Sequence, residues 1–561
     1  MKFILSLFLL VTLFTNAQNN YPQDYFGNPL EIPVILAGTF AELRSNHFHS
    51  GLDIKTQQRT GLKVLASADG FVSRIKVSHF GYGKALYISH PNGYTTVYAH
   101  LQNFAPNIEA YVKKLQYEKE SYEIEVFPTP DVLPVTKESL IAYSGNTGGS
   151  GGPHLHFEIR DKQERPINPM LFGIDIKDTT NPIVDAIYAY PLDQNSFVNN
   201  SNKKQKLRLI PLKNGDYTTE SIEAIGTIGF GIETFDRQDL AANSNGVYNI
   251  ESFVNGNRIF EIDLKSFSFD ETQHINQLID YKHYIEKKER IQKLFKKNNP
   301  LTILNSDFNN GFLSVEDSTN SVYKIRIADY KNNESWVTIN IKGSKNSIAE
   351  PKPIKTTPYL VKTDQTTTLK KESVTVDFYR DTFYEDFYID FDVKNDTLLL
   401  HKDNIPAMKS FNISYDVSNY NNEDINKLYI ARLVGYKNNP LYIFTKRNKN
   451  SLVASTKTLG KYALATDNSE PTISPINFKN NQWLSNYRFL KVKIDDRDSG
   501  ISNFRATVNE KWILMEYDYK TKTLTYDFND GVVTDTKNNL KVIVTDNVGN
   551  NSTFEALFYR K

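Results

Sequence analysis

Cysteine is absent from all 561 residues. That excludes a disulfide framework, a lipid anchor on cysteine and any thiolate metal site, so a metal bound here must be held by histidine and carboxylate. An excess of charge is lacking too: 66 Lys and Arg face 65 Asp and Glu, for a net charge of +1. This balance argues against an electrostatic nucleic-acid or membrane binder, and the short runs Lys203-Lys204 and Lys296-Lys297 read as solvated faces. Long hydrophobic runs are missing. The one apolar stretch, Phe3 to Phe14, falls short of the roughly 20 residues that cross a bilayer. It follows Lys2 and gives way to small and polar residues ending at Ala17, the pattern of an export signal over 1–17 with a mature start at Gln18. No membrane span is expected once it is removed.

What the chain does contain is tyrosine and phenylalanine, 33 and 34 of them, with frequent β-branched residues, a composition that favours sheets. Histidine is concentrated. Seven of the ten fall between His47 and His156, and the other three (His274, His283, His401) stand singly in polar surroundings and read as surface residues. Imidazole is the commonest protein ligand for transition metals and the commonest general base near neutral pH. The first third of the chain is therefore where chemistry is expected.

That part, 18–175, shows short alternating runs broken by glycine, such as Gly70 to Val77 and Ala85 to Ser89, with a tight turn at Pro91-Asn92-Gly93. Between 103 and 123 the period becomes helical, with Ile108, Tyr111, Val112 and Leu115 on one face. After Asn181-Pro182 the chain is strand-rich with Asn, Asp and Gly turns. Two segments, 182–343 and 470–561, carry a strand ending in aspartate and then a turn, which suits an immunoglobulin-like sandwich. The first has a helical insertion near 270–295. The segment 352–467 is β-rich and of no identified type, entered through a linker at Glu350-Pro351-Lys352-Pro353. The strands ending at Asp329 and Asp546 form a faint repeat, aligned with Gly549 as an inserted residue before Asn550-Asn551. Acidic turns lie upstream of each, at Asp236 to Asp239 and Asp496 to Asp498. They carry the hard oxygen ligands calcium takes, but none has the spacing of a dedicated calcium loop, and turn formation accounts for the pattern.

Three motifs stand out. In His49-Ser50-Gly51-Leu52-Asp53, a strand would set 49, 51 and 53 on one side, with Gly51 leaving space beside a metal. In His154-Leu155-His156-Phe157-Glu158, His154, His156 and Glu158 share one face while Leu155 and Phe157 bury the other. Tyr98-Ala99-His100 ends a strand on which Tyr94, Thr96, Tyr98 and His100 would lie together. The stretch Ser144 to Gly152 lacks the Lys-Ser/Thr ending of a phosphate loop and reads as a place where substrate backbone comes close.

His-x-x-x-Asp, Tyr-Ala-His and Gly-Pro-His-Leu-His-Phe-Glu, in that order, resemble the LytM/lysostaphin-type zinc metallopeptidases, which cut peptide cross-links in bacterial cell walls. The resemblance covers about 35–170, and Gly61 to Ala66, Gly81-Tyr82-Gly83 and Ile88-Ser89-His90 follow in the family's order. It departs at Thr136-Lys137-Glu138-Ser139, where the family often has a Gly-Asp pair, and in the longer stretch from Gln102 to Pro134. The resemblance implies Zn2+ held by His49, Asp53 and His156, with His100 and His154 as catalytic partners beside it. It implies a mainly β chain, an N-terminal antiparallel β peptidase domain followed by two or three sandwich domains. The expected function is that of an exported zinc metalloendopeptidase acting on peptidoglycan peptides, in the periplasm, at the cell envelope or outside the cell. The C-terminal β domains are candidates for contact with wall or a protein partner. Some members of the family lose their ligands and act as silent or partner-regulated wall-binding proteins, and all five positions are filled here. Three protein ligands leave a fourth tetrahedral position open, the arrangement of a catalytic zinc.

Overall fold

The computed structural model describes residues 21–345 and 355–561. The expected signal at 1–17 and the linker at Glu350 to Pro353 lie outside the described residues. The chain is mainly β from end to end.

The N-terminal part contains β1 (Leu36–Gly38), β2 (Leu52–Lys55), β3 (Lys63–Leu65), β4 (Gly70–Val77), β5 (Lys84–Ser89), β6 (Thr95–Ala99) and β7 (Asn103–Phe104). Helix α1 (Pro106–Lys119) follows, then β8 (Ile124–Val126), β9 (Pro134–Val135), β10 (Leu140–Tyr143), β11 (His154–Arg160) and β12 (Pro166–Ile167). The main antiparallel sheet runs β1-β2-β11-β6-β5-β4-β8, and β3-β10-β7 form a smaller one. In β11 the alternation is clean: Leu155, Phe157 and Ile159 are wholly buried in the core, so His154, His156 and Glu158 must face the other way. Helix α1 starts with a proline at its first turn, where the missing N–H costs nothing, and buries Ile108, Val112 and Gln116 at i, i+4, i+8. It stops at Glu120, which turns left-handed with φ +45°.

The core of this part is continuous with that of the segment after it. Phe40 and Phe48 meet Phe267 at ring distances of 5.2 and 5.4 Å, and Ile167 bridges to Ser266. That next segment is organised around the 14-residue strand Ile222–Phe235, paired with Ile183–Pro191. Its helical turns are Thr272–His274, Ile275–Leu278 and Tyr281–Lys287. They end at Lys288 (φ +65°), so Leu294 lies beyond the helix, after a short strand Gln292–Lys293. Two five-stranded sheets over 367–466 enclose a separate core, and a four- and a five-stranded sheet over 472–559 enclose another. Among the described residues no helix is long and apolar enough to cross a membrane.

His274, His283 and His401 are not the free surface residues expected. His274 is buried against the Tyr384 hydroxyl, and the other two pair with Glu289 and Asp390.

Candidate metal centre

Strand register builds the centre. β11 lies between β2 and β6, with His156 opposite Asp53 on one side and Ala99 on the other. Asp53 and His156 therefore stand side by side on the face away from the core. His49 reaches them differently from the expectation: it precedes β2 rather than lying within it. A tight loop returns the chain so that His49 N–H donates to Glu42 O and Ala41 N–H to His49 O. Gly51 also has another purpose than clearing space for a metal. A Cβ there would sit 2.3 Å from Phe157 O, so glycine lets the loop pass against β11.

His100 departs from its expected face. Thr96 and Tyr98 point into the core, and a strict alternation would send His100 there too. Instead His100 adopts a left-handed conformation (φ +58°) as β6 ends, and its ring turns to the metal-side face. There it lies 4.8 Å from His154 and 5.8 Å from His156, centroid to centroid. All five residues singled out from sequence thus meet at one place, His154 through its Nε2, 3.3 Å from Asp53 Oδ1.

Each imidazole is oriented by a hydrogen bond on its outer nitrogen. His49 Nδ1–H donates to Thr39 O (2.7 Å), His100 Nδ1–H to Thr147 O (2.9 Å), His154 Nδ1–H to Gly152 O (2.9 Å) and His156 Nε2–H to Glu158 Oε1 (2.7 Å). The inner nitrogens are left as lone pairs. His49 Nε2, His156 Nδ1 and Asp53 Oδ1 then form a triangle with sides of 2.9, 3.0 and 3.1 Å. Three acceptors this close repel one another unless a cation or extra protons lie among them. Zinc bonds of 2.0–2.1 Å in tetrahedral array would set donor atoms roughly 3.3 Å apart, within a few tenths of this triangle. The donor set is the nitrogen and oxygen set zinc takes, and the residues present fit it.

The second layer was largely missed from sequence. Arg44 donates to Asp53 Oδ2 (3.1 Å), which leaves Oδ1 for the metal side. Glu158, fully buried, accepts from His156, from Ser50 Oγ (2.7 Å), from the Tyr82 hydroxyl and from Arg160 Nε (2.6 Å). Glu158 thus orients His156 and pairs with Arg160 at once. Burial works against charge at Asp53, but His49, His154 and His156 outweigh it and hold the carboxyl well below its usual range. Burial likewise opposes a charged Glu158, and Arg160 and His156 override it. His100 goes the other way: burial, with His156 and His154 beside it, depresses it to about 3, so it stays a neutral acceptor. Tyr82 is raised far above its usual value by burial and Glu158 and remains a phenol.

The glycine stretch is only partly open. Gly145 and Gly148 fit against the backbones of Leu101-Gln102 and Gly83, whereas Gly151 and Gly152 face free space. His90 bonds Asp69 O and Thr96 Oγ1, away from the metal-side face, and the His47 ring bonds Ser45 O. His79 stacks on Tyr122 at 4.9 Å and also meets Phe504 and Tyr517 of the C-terminal segment.

The model of peptidase family M23 matches residues 47–117, and that of the Zu5-like domain matches 358–467, the segment left without a type above. A DD-carboxypeptidase/endopeptidase Mpg of Neisseria meningitidis serogroup B is 33% identical over 138 residues, 25% of this chain and 26% of the relative. An uncharacterized metalloprotease of Haemophilus influenzae is 34% identical over 122 residues, 22% of this chain and 20% of the relative. The chain thus spans about a quarter of the length of the curated relatives it matches. A zinc-containing peptidase from Vibrio cholerae is 25% identical with a TM-score of 0.19, over 28% of this chain and 40% of that one. The catalytic domain of lysostaphin from Staphylococcus simulans is 20% identical with a TM-score of 0.19, over 24% and 90%.

Proposed function

We propose that this chain, which carries an M23 peptidase domain, is an exported zinc-dependent endopeptidase that hydrolyses peptide bonds of peptidoglycan. The observation that supports it most is the convergence of His49 Nε2, Asp53 Oδ1 and His156 Nδ1 within 3.1 Å of one another, with His100 and His154 beside them. A zinc ion there would supply a Lewis acid for the scissile carbonyl and lower the pKa of a water to about 7. His49, Asp53 and His156 would hold it, and Thr39 O, Arg44 and Glu158 hold them. His100 and His154 are each anchored by Nδ1–H and turn Nε2 to the same side, that of His154 lying 3.3 Å from Asp53 Oδ1. Either nitrogen can take a proton from the attacking water and afterwards donate it to the developing oxyanion or the leaving amine. The His154 side chain, at 14% exposure against 4% for His156, lies nearer the open side, next to the free space over Gly151 and Gly152. Substrate therefore approaches from the glycine stretch. A silent wall-binding role is disfavoured because no ligand or partner position has been lost.

The test is zinc content together with release of soluble peptides from purified peptidoglycan, with Asp53→Ala as control. Near-stoichiometric zinc and release by the parent alone support the reading, and mass analysis of the fragments names the bond. A protein that binds no zinc, or a control as active as the parent, overturns it.

A further inference from the structure

Away from the peptidase centre, two sets of three aspartates converge, Asp178, Asp236 and Asp329, and Asp467, Asp496 and Asp546, one oxygen of each lying within 4.8 Å of the others. Their scaffolds correspond. Asn333 Nδ2–H donates to Asp329 Oδ2 and Asp178 O, just as Asn550 Nδ2–H donates to Asp546 Oδ2 and Asp467 O. Each asparagine follows its aspartate by four residues, so the repeat has no inserted residue at Gly549, contrary to the alignment made from sequence.

The two sets differ in how their charge is met. In the second, every carboxylate accepts backbone N–H groups: Asp467 from Ser469 and Ser499, Asp496 from Asp498 and Gly500, Asp546 from Val548 and Asn550. In the first, Asp178 accepts from Thr180 and Asp329 from Asn333. Asp236 is 4% exposed, and its Oδ1 meets no hydrogen-bond donor. Among the described residues no lysine or arginine pairs with any of the three, although Lys331 lines the same cavity. An isolated buried carboxylate costs several kcal/mol, so something must compensate it. A space of about 30 Å³ lined by the three aspartates has room for one ion or water. Leu36 and Phe40 of the peptidase part form its far wall.

We propose that Asp178, Asp236 and Asp329 bind one hard divalent cation, calcium by donor type, at the junction of the peptidase part and the segment that follows it. Three carboxylates from separate stretches, with room for water, are oxygen ligands of the kind calcium takes. Without the cation, burial and the two neighbouring aspartates push Asp236 up to about 7, and burial pushes Asp329 up to about 6, so a shared proton is the competing occupant. The ion fastens the start of the loop 236–246, which holds β1. In that loop Gln238 accepts from Leu36 N–H (2.8 Å) and donates to Val34 O (3.1 Å), and Gly246 N–H donates to Thr39 Oγ1 (3.0 Å). This site is independent of the peptidase reading and stands or falls without it.

The test uses the whole purified protein, stripped of metal, with terbium as the probe. Tyr248 and Tyr330 line the cavity and will sensitise bound terbium. The expected result is tyrosine-sensitised luminescence that calcium displaces, and an apparent unfolding temperature raised by roughly 5 °C or more in saturating calcium. Asp236→Asn loses both effects. In calcium-free buffer it unfolds at or above the parent temperature, because it relieves the crowding of three buried carboxyls and leaves an amide oxygen to accept from the Arg237 backbone. Asp496→Asn, in the set already satisfied by amides, keeps both effects. A parent with no calcium-dependent signal, a signal that survives Asp236→Asn, or one lost only in Asp496→Asn overturns the proposal.

Discussion

Glu158→Gln is the sharpest test of how the centre is held. The carboxylate is fully buried and serves two sides at once: Oε1 accepts from His156 Nε2, Ser50 and Tyr82, while Oε2 accepts from Arg160 Nε. Glutamine has the same shape but one acceptor and one donor end. Placed with its oxygen toward His156, it turns an amide N–H onto the Arg160 guanidinium. Flipped, it turns that N–H onto His156, and the imidazole loses the bond that leaves Nδ1 as the lone-pair atom. Removing one partner of a buried ion pair costs about 3–5 kcal/mol. Arg160 keeps Glu164 at 3.1 Å, so the low end, about 3 kcal/mol, is expected. Losing the outer hydrogen bond of a histidine ligand costs about 10–100-fold in metal affinity, about 1.4–2.7 kcal/mol. Both quantities are measurable separately, the first from the lowest unfolding transition of zinc-free protein, the second by competition with a chromophoric chelator. One of the two quantities must fall whichever way the amide lies, so a variant that matches the parent in both zinc affinity and stability would refute the claim that Glu158 holds His156 and Arg160 together.

Three further outcomes follow from the same geometry. His49→Ala and His156→Ala should lose zinc and peptide release together, whereas His154→Ala should keep zinc and lose release; equal zinc loss in all three would contradict that division of roles. In zinc-free protein burial works against a charged His156, but Asp53 and Glu158 outweigh it and hold it up to about 9. Its raised value stabilises the zinc-free fold fully below the unfolded value of about 6.5, and this is lost as pH rises through about 9. Zinc must displace that proton, so affinity should rise about tenfold per pH unit below 9, and a flat titration from pH 6.5 to 9 would count against it. Lys520 of the C-terminal segment holds the carbonyls of Asn146 and Ser150, and Ser150 Oγ lies 3.1 Å from His154 Nδ1. Lys520→Ala should therefore lower kcat/KM by about tenfold at unchanged zinc content, and an unchanged rate would mean that the contact is incidental.

The ligand residues were legible in sequence because a strand carries information every second residue. Leu155, Phe157 and Ile159 had to be buried, which placed His154, His156 and Glu158 opposite them without any knowledge of the fold. The same rule failed for His100 and His49. A left-handed residue at the end of β6 and a loop ahead of β2 break the alternation, and neither has a sequence signal as strong as glycine or proline. Arg44, Tyr82, Ser50 and the carbonyls of Thr39, Thr147 and Gly152 were not legible at all as partners. They act through contacts set by the loops, and a backbone carbonyl carries no residue identity. Gly51 was noticed for the wrong reason, since the space it vacates belongs to β11.

The junction at about 175–182, which reads in sequence as a change of domain, is not a boundary in packing. Phe40, Phe48 and Phe267 are buried together across it, and Thr39, which orients His49 through its carbonyl, is held on its other side by Gly246. Exposing Phe40 and Phe48 alone would cost about 3–6 kcal/mol, a large part of the roughly 5–15 kcal/mol that keeps a domain folded. The smallest unit that can hold the centre in shape therefore extends through the end of Glu334–Gly343. The C-terminal segment has an apolar core of its own, although its Leu514 is buried in the N-terminal core and its Trp512 packs against it. It touches the peptidase part through polar and ionic contacts such as Lys84 to Glu516 and Tyr117 to Asp530, and through aromatic edges such as Tyr117 on Trp512. The chain thus joins the support beneath the candidate metal ligands to a body with a further core of its own, whose Lys520 reaches the carbonyls of the glycine stretch beside His154.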